Sequence, residues 1–248
     1  MSSARDAASA RRRPSLWGWL VTVSACLLVG VGVMLVVWWG TSSHTRTSGY
    51  DVKGTVSAVN LDLGSADAEI VGGAETSTLK VERTDRYSFG RDATASRNLV
   101  GDVLNLRSRC PDALVARCDA AYRLTVPANV AVTVTTTSGN VTFTGYRGTA
   151  RIATTSGDVV VSGYCGFSLQ ARTNEGDAHV ATVCAPERLL MRTSSGDASA
   201  LVPPGRYRVD ASSNTGAHRV RGLEVADDSQ FQIQIVTNSG DATVDAAS

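Results

Sequence analysis

The chain is 248 residues long, carries a formal net charge of +1, and has 19% charged and 43% hydrophobic residues. A balance this close to neutral gives no strong preference for polyanions or polycations, and nucleic acid is not an expected partner. Only three histidines are present, His44, His179 and His218. Their spacing offers no convergence for a two-histidine metal site or a Ser-His-Asp centre.

Residues 1–15 are small and polar and include Arg5, Arg11, Arg12 and Arg13. Leu16 to Gly40 then runs for 25 residues without a charge, longer than the roughly 20 that cross a bilayer. Trp17 and Trp19 lie at one end and Trp38 and Trp39 at the other, where amphipathic rings sit at a membrane surface. A cleaved signal peptide has a shorter apolar region and a small-residue cleavage site. The run therefore predicts an uncleaved transmembrane helix over 16–40. The arginines before it place residues 1–15 in the cytoplasm and everything after Gly40 outside, as a single-pass membrane protein.

Residues 41–55 read as a polar linker. From Val56 a strand pattern begins. Val59, Leu61 and Leu63 alternate with Asn60 and Asp62, and Ser65-Ala66-Asp67 follows, then Ala68 and Ile70. Leu79/Val81 and Leu104/Leu106 mark two further strands. Asp85 to Asn98 is charged and rich in Ser and Thr and reads as a loop, and Cys110 and Cys118 bracket another. Residues 56–127 thus form an atypical β region suited to capping a repeat array.

From 128 to 248 one phrase returns six times around Gly139, Gly157, Gly176, Gly196, Gly216 and Gly240, at steps of 18, 19, 20, 20 and 24. A period near twenty marks a repeat architecture. Seven residues before each glycine stand Val132, Ala150, Leu169, Leu189, Val209 and Ile233; five before stand Val134, Ile152, Ala171, Met191, Ala211 and Ile235. Polar residues lie between them, so each repeat opens with a strand buried on one face. Val141/Phe143, Val159/Val161, Ala178/Val180 and Ala198/Ala200 continue the alternation after the glycine. Each repeat is strand, turn, strand, turn. The glycine supplies positive φ and the acid bonds nearby backbone N–H groups.

Two all-β arrangements fit: a β-solenoid with each repeat one rung, or an antiparallel meander. The Thr column (Thr136, Thr154, Thr173, Thr193, Thr237, with Ser213) and the turn column (Asn140, Asp158, Asp177, Asp197, Asp241) favour the solenoid. Like columns are expected where neighbours touch, since Thr–Thr pairs can share hydroxyl hydrogen bonds. The fifth repeat departs, with Thr215-Gly216-Ala217, and the step after it is the long one. Cysteines separate the two arrangements. Cys26 falls in the span, and Cys110 and Cys118 close a short loop suited to a disulfide. Cys165 and Cys184 each lie eight residues after a repeat glycine. In a solenoid they stack about 4.8 Å apart, within disulfide reach; in a meander they stand roughly 9–10 Å apart.

Leu124-Thr-Val-Pro-Ala-Asn-Val, followed by the Ser-Gly-Asn and Ser-Gly-Asp repeats, resembles the bacterial candidate-adhesin β-strand repeat family, a domain of unknown function. Its relatives include the toast-rack domains of cell-envelope stress systems. The resemblance covers about residues 56–246. It implies a β-repeat fold at the cell envelope of a bacterium and transfers no catalytic residue.

Two groups of residues remain for chemistry. The Asp column could hold a hard cation, but turn chemistry accounts for it, and the Gly-Gly-x-Gly-x-Asp nonapeptide of calcium β-rolls is absent. Arg172 and Arg192 share an outward offset, four before the glycine, and could contact anions. Neither a catalytic residue, a metal ligand nor a cofactor is expected. The leading reading is a non-enzymatic, membrane-anchored extracytoplasmic module with a structural, adhesive or stress-sensing role, binding a protein or wall polymer. The rival is a polysaccharide-active enzyme on a β-helix, using Asp158, Asp177 and Asp197 with Arg172 and Arg192 on one groove.

Overall fold

The structure is a computed structural model that describes residues 16–41, 44–73, 78–87, 93–110 and 118–247. The chain divides into two units, residues 1–42 and residues 43–248. In the first, α1 spans Leu16–Thr41. Among the described residues, no helix is long and apolar enough to cross a membrane.

Every described secondary-structure element of the second unit is a strand. In chain order it opens with β1 (His44–Val52), β2 (Ala58–Asp62), β3 (Asp67–Gly73), β4 (Leu79–Tyr87), β5 (Thr94–Val100), β6 (Val103–Arg109) and β7 (Cys118–Pro127). The regular part follows: β8 (Ala131–Thr136), β9 (Val141–Thr144), β10 (Ala150–Thr154), β11 (Val159–Tyr164), β12 (Ser168–Glu175), β13 (Ala178–Thr182), β14 (Arg188–Ser195) and β15 (Ala198–Val202). It closes with β16 (Arg206–Ser213), β17 (His218–Arg221), β18 (Glu224–Val225), β19 (Gln232–Ser239) and β20 (Ala242–Ala246).

These strands form two ten-stranded sheets. The front sheet runs β5-β6-β2-β8-β10-β12-β14-β19-β16-β18, and the back sheet β1-β4-β7-β3-β9-β11-β13-β15-β20-β17. The chain crosses from front to back within every repeat, so β8 and β9 make one coil and β10 and β11 the next. Neighbouring coils pair in parallel, with Ile152 set between Val134 and Ala171. Equivalent residues are therefore one strand apart, which is the solenoid arrangement and not the meander. The inward columns interlock between the sheets: Val134, Ile152, Ala171, Met191 and Ile235 in front, Val141, Val159, Ala178, Ala198 and Ala242 behind, all buried. Burial of such apolar area at about 25 cal/mol per Å² is the main force holding coil to coil.

Coil order in space differs from coil order in the chain at both ends. The sequence β6–β7, β2–β3, β8–β9 at one end means that the second coil formed by the chain lies outside the first. At the other end β19 pairs with β14 on one side and β16 on the other, and β20 lies between β15 and β17. The sixth repeat is thus inserted between the fourth and the fifth. The link from β15 to β16 must skip one rung, about 9.6 Å. Pro203, Pro204 and Gly205 do so, since three extended residues reach roughly 10 Å.

Two segments differ from the sequence reading. The stretch 41–55 is not a linker throughout, because β1 occupies His44–Val52 and pairs antiparallel with β4. The expected loop Asp85–Asn98 contains the end of β4 and the start of β5, with residues 88–92 outside the description. Hydrophobic periodicity missed both, since β1 and β5 lie at the outer edges of the sheets and β5 is exposed along its whole length. The antiparallel pairs β1·β4, β4·β7 and β5·β6 gather at this end, where they close the array as a cap.

Candidate functional site

Three columns run down the turn that joins each front strand to its back strand. The threonine hydroxyls face inward, and they bond the glycine backbone instead of one another. Thr136 Oγ1 donates to the Gly139 carbonyl at 2.9 Å, Thr193 Oγ1 to Gly196 at 2.9 Å, and Thr237 Oγ1 to Gly196 of the coil beside it at 3.0 Å. A buried hydroxyl needs such a partner, and serving the turn backbone is what fixes Thr or Ser at this offset.

The glycine column has a different cause from the one its turn suggests. Gly176, Gly196 and Gly240 have φ near +136°, but Gly139, Gly157 and Gly216 do not lie at positive φ. What the column shares is close approach. A Cβ on Gly157 would stand 2.1 Å from the Gly139 carbonyl oxygen, and one on Gly196 2.2 Å from that of Gly176. Coils stack so tightly here that no side chain fits.

The acidic column is a ladder of side chain to backbone bonds between coils. Asp67 Oδ1 accepts from the Asn140 N–H at 2.8 Å, and Asn140 Oδ1 from Asp158 at 3.0 Å. Asp158 Oδ1 accepts from Asp177 at 2.9 Å, Asp177 Oδ1 from Asp197 at 2.8 Å, and Asp197 Oδ1 from Asp241 at 2.8 Å. The last bond is from Ala217 N–H to Asp241 Oδ1 at 2.8 Å. Each acid caps the next coil, and the series follows spatial order, passing from Asp197 to Asp241 before Ala217. This explains the departing fifth repeat. Ala217 is on the terminal coil, with no further N–H to receive. Among the described residues no three His, Cys, Asp or Glu side chains gather to hold a metal ion.

The opposite turn, from back strand to next front strand, is held by groups that the repeat pattern only partly signalled. Tyr146 OH donates to the Val130 carbonyl. Tyr164 OH reaches Gly148 O at 2.9 Å and Ser168 O at 2.8 Å. Burial pushes both hydroxyls well above the ordinary tyrosine range, so they remain donors. The repeated Gly-Tyr at 145–146 and 163–164, seven residues after Gly139 and Gly157 in the second member of each pair, was the available signal. On the next coil Thr182 stands opposite Tyr164, and the aromatic column ends. There the Cys165–Cys184 disulfide joins the two coils, with Cα atoms 4.8 Å apart. Cys110 is also disulfide-bonded; its expected partner Cys118 has a side chain outside the described residues.

Arg172 and Arg192 are register partners on β12 and β14, both exposed on the front sheet. A shallow groove beside them is lined by Thr173, Thr193, Ser194, Ser212, Ser213, Asn214, Val236, Thr237 and Asn238. It holds no carboxylate. The acids Asp158, Asp177 and Asp197 lie past the turn, on the other side of the glycine column, and spend one oxygen each on the ladder. The structure therefore does not bring the Asp and Arg groups onto one groove. Of the histidines, His179 Nδ1 lies 2.5 Å from Ser199 Oγ on the back sheet, His218 is exposed on β17, and the His44 side chain is outside the described residues.

The class defined by this geometry is a two-sheet parallel β-solenoid with an antiparallel cap. The family model described as Toastrack DUF4097 matches residues 124–248, and the chain belongs to that family. Among solved structures, the chain is similar to a candidate cell adhesion protein from Clostridium sporogenes, at 10% identity and a TM-score of 0.49, over 83% of this chain and 100% of that one. It is similar also to a candidate adhesin from Bacteroides fragilis, at 11% identity and a TM-score of 0.39, over 83% and 98%. A comparison with curated proteins finds no match.

Proposed function

We propose that the chain is a non-enzymatic, membrane-anchored module that holds a rigid β-solenoid outside the cytoplasm and presents its sheet faces to an envelope protein or wall polymer, in a structural, adhesive or sensory role. The observation that carries this reading is the ladder. The carboxylates that a polysaccharide-active enzyme would need are bonded to the backbone of the next coil from Asp67 through Asp241, and the arginine groove contains no acid. The rows left to meet a partner are the outward residues of the two sheets on a scaffold stapled at Cys165–Cys184. A disulfide persists in an oxidising compartment, which supports an extracytoplasmic place.

The proposed anchor is the segment 16–40, and its support is in the sequence: Leu16 to Gly40 runs 25 residues without a charge, more than the roughly 20 that cross a bilayer. Protease added to intact spheroplasts is expected to digest residues 43–248 and spare the N-terminal tail. Complete protection of the solenoid would overturn the orientation. Turnover of an envelope glycan by the purified chain, lost on Asp177→Asn, would overturn the non-enzymatic reading.

A further inference from the structure

Four outward arginines of this solenoid are set against an acid on the neighbouring strand, while others, such as Arg151 and Arg188, face neutral residues on both sides. Register pairs Arg107 with Asp62, Arg123 with Glu69, Arg206 with Glu224 and Arg221 with Asp245. The charged groups of these pairs stand 3.8, 3.4, 3.3 and 3.9 Å apart. Parallel stacking makes this the natural solution, since like charges placed directly opposite repel and opposite charges attract.

Arg172 and Arg192 differ from both groups. They face each other. The neighbour of Arg172 on its other side is Ala153, and that of Arg192 is Val236. No carboxylate lies within ion-pair distance of either among the described residues. Two guanidinium groups thus project from adjacent strands, about 4.8 Å apart at the backbone, and no described carboxylate neutralises them. Beside them, the exposed Ser194, Ser212, Asn214 and Asn238 add hydroxyl and amide donors along the same groove.

The donor count selects the ligand. A carboxylate has two oxygens, and one guanidinium fork fills it. Two adjacent forks with hydroxyl and amide donors alongside exceed what one carboxylate accepts and suit phosphate groups, which present two terminal oxygens in a diester and three in a monoester, with bridging oxygens besides. We infer that the Arg172–Arg192 groove is a binding site for phosphate groups on a monoester or diester outside the cytoplasm. The near-zero net charge of the chain does not oppose this, because the four acid-facing arginines named above are internally neutralised and this pair is not. The site deepens the outward-presentation reading and rests on it. Protease accessibility tests that reading and phosphate binding tests this one, so the two can fail separately.

The experiment uses the full chain in neutral detergent micelles, titrated calorimetrically with linear polyphosphate. Wild type is expected to bind and to weaken as salt rises. The double variant Arg172→Ala/Arg192→Ala should lose about tenfold or more in affinity, as expected for lost charge-assisted bonds. Arg192→Glu gives Arg172 a facing acid of the kind that Arg107, Arg123, Arg206 and Arg221 have, and should abolish binding. The control Arg123→Ala/Arg221→Ala removes the same formal charge from paired positions and should leave affinity within about twofold. A parallel arm replaces the polymer with vesicles of anionic phospholipid. Binding that depends on Arg172 and Arg192 in either arm supports the site, and the arm in which it occurs identifies polymer or headgroup as the source. Equal losses in both double variants, or no binding in either arm, would overturn it.

Discussion

The regular middle of the solenoid and its two ends are built from the same strand–turn–strand unit, yet they obey different rules. From β8 to β15 each coil stacks on its predecessor in the chain. At both ends the order is exchanged. The last repeat is drawn in between two earlier ones, and β2–β3 lies between a later coil and β8–β9. Exchange of this kind makes the terminal coil an internal segment of the chain and puts the C-terminal coil inside the stack. The coil β19–β20 is pinned on both sides, while the exposed coil β16–β17 is tethered at both of its own ends. The lesson is that a repeat sequence encodes the shape of a coil, whereas the identity of its neighbours is encoded by what each position must bond.

The largest expected difference between the two regions is in the core. Ile152 is buried in the middle, while Val209, an inward-offset residue of the terminal coil, is only half buried. Ile152→Asp places an unpaired charge where no water reaches and should cost more than about 4 kcal/mol, whereas Val209→Asp should cost about 1 kcal/mol. Urea unfolding of the two variants measures the contrast. Equal losses would mean that the terminal coil is packed as tightly as the middle.

The glycine column sharpens the same contrast. Gly157→Ala drives a Cβ to 2.1 Å from the Gly139 carbonyl, and Gly216→Ala to 2.0 Å from that of Gly240. The static clash is the same. Gly157 is held from both sides, but Gly216 sits on a coil that can move away from its single neighbour. Losses of about 3 kcal/mol for Gly157→Ala and about 1 kcal/mol for Gly216→Ala are expected from chemical unfolding.

Within the middle, one junction differs from the rest. Tyr146 and Tyr164 tie their turns, Thr182 cannot extend that column, and its buried hydroxyl has no hydrogen-bond partner among the described residues. The disulfide bridges the coils at that point. Closing a segment of 19 residues, it should contribute about 3 kcal/mol, so reductant or Cys165→Ser/Cys184→Ser should lower the melting temperature by several degrees. No change in melting temperature would show that the turns are held by other contacts.

Much of this was legible before the structure. The strand faces, the solenoid arrangement and the Cys165–Cys184 contact follow from residues at fixed offsets from the glycines, because burial and close stacking act at every rung. Edge strands were not legible. β1 and β5 have little buried pattern, since each is covered on one side only. The exchange of coil order was visible only as Ala217 in an acidic column and a long step to Gly240. Neither has meaning until the acid is known to bond across coils. The arginine groove was half legible. Sequence offsets place Arg172 beside Arg192, but the arginine–acid pairs with which they contrast need the register of coils far apart in the chain, as with Asp62 and Arg107.

The smallest effects belong to the ladder, and they distinguish its middle from its end. Asp177→Ala removes the acceptor of the Asp197 N–H. The amide lies near the surface and water can partly replace the lost partner, so the loss should be about 1 kcal/mol or less. Asp177→Asn keeps a side-chain oxygen at the same place, as Asn140 does naturally, and also removes one charge from a column of like charges. It should match or slightly exceed the wild type in unfolding free energy. Ala217→Asp adds a carboxylate beyond the last rung, where no further N–H waits for it. It should add nothing measurable, while Asp241→Ala, which uncaps Ala217, should loosen the terminal coil alone and speed amide exchange in β17 without changing that of β13. If Ala217→Asp stabilises as much as Asp177→Ala destabilises, the ladder acts through charge and turn propensity at each corner and not through bonds from one coil to the next.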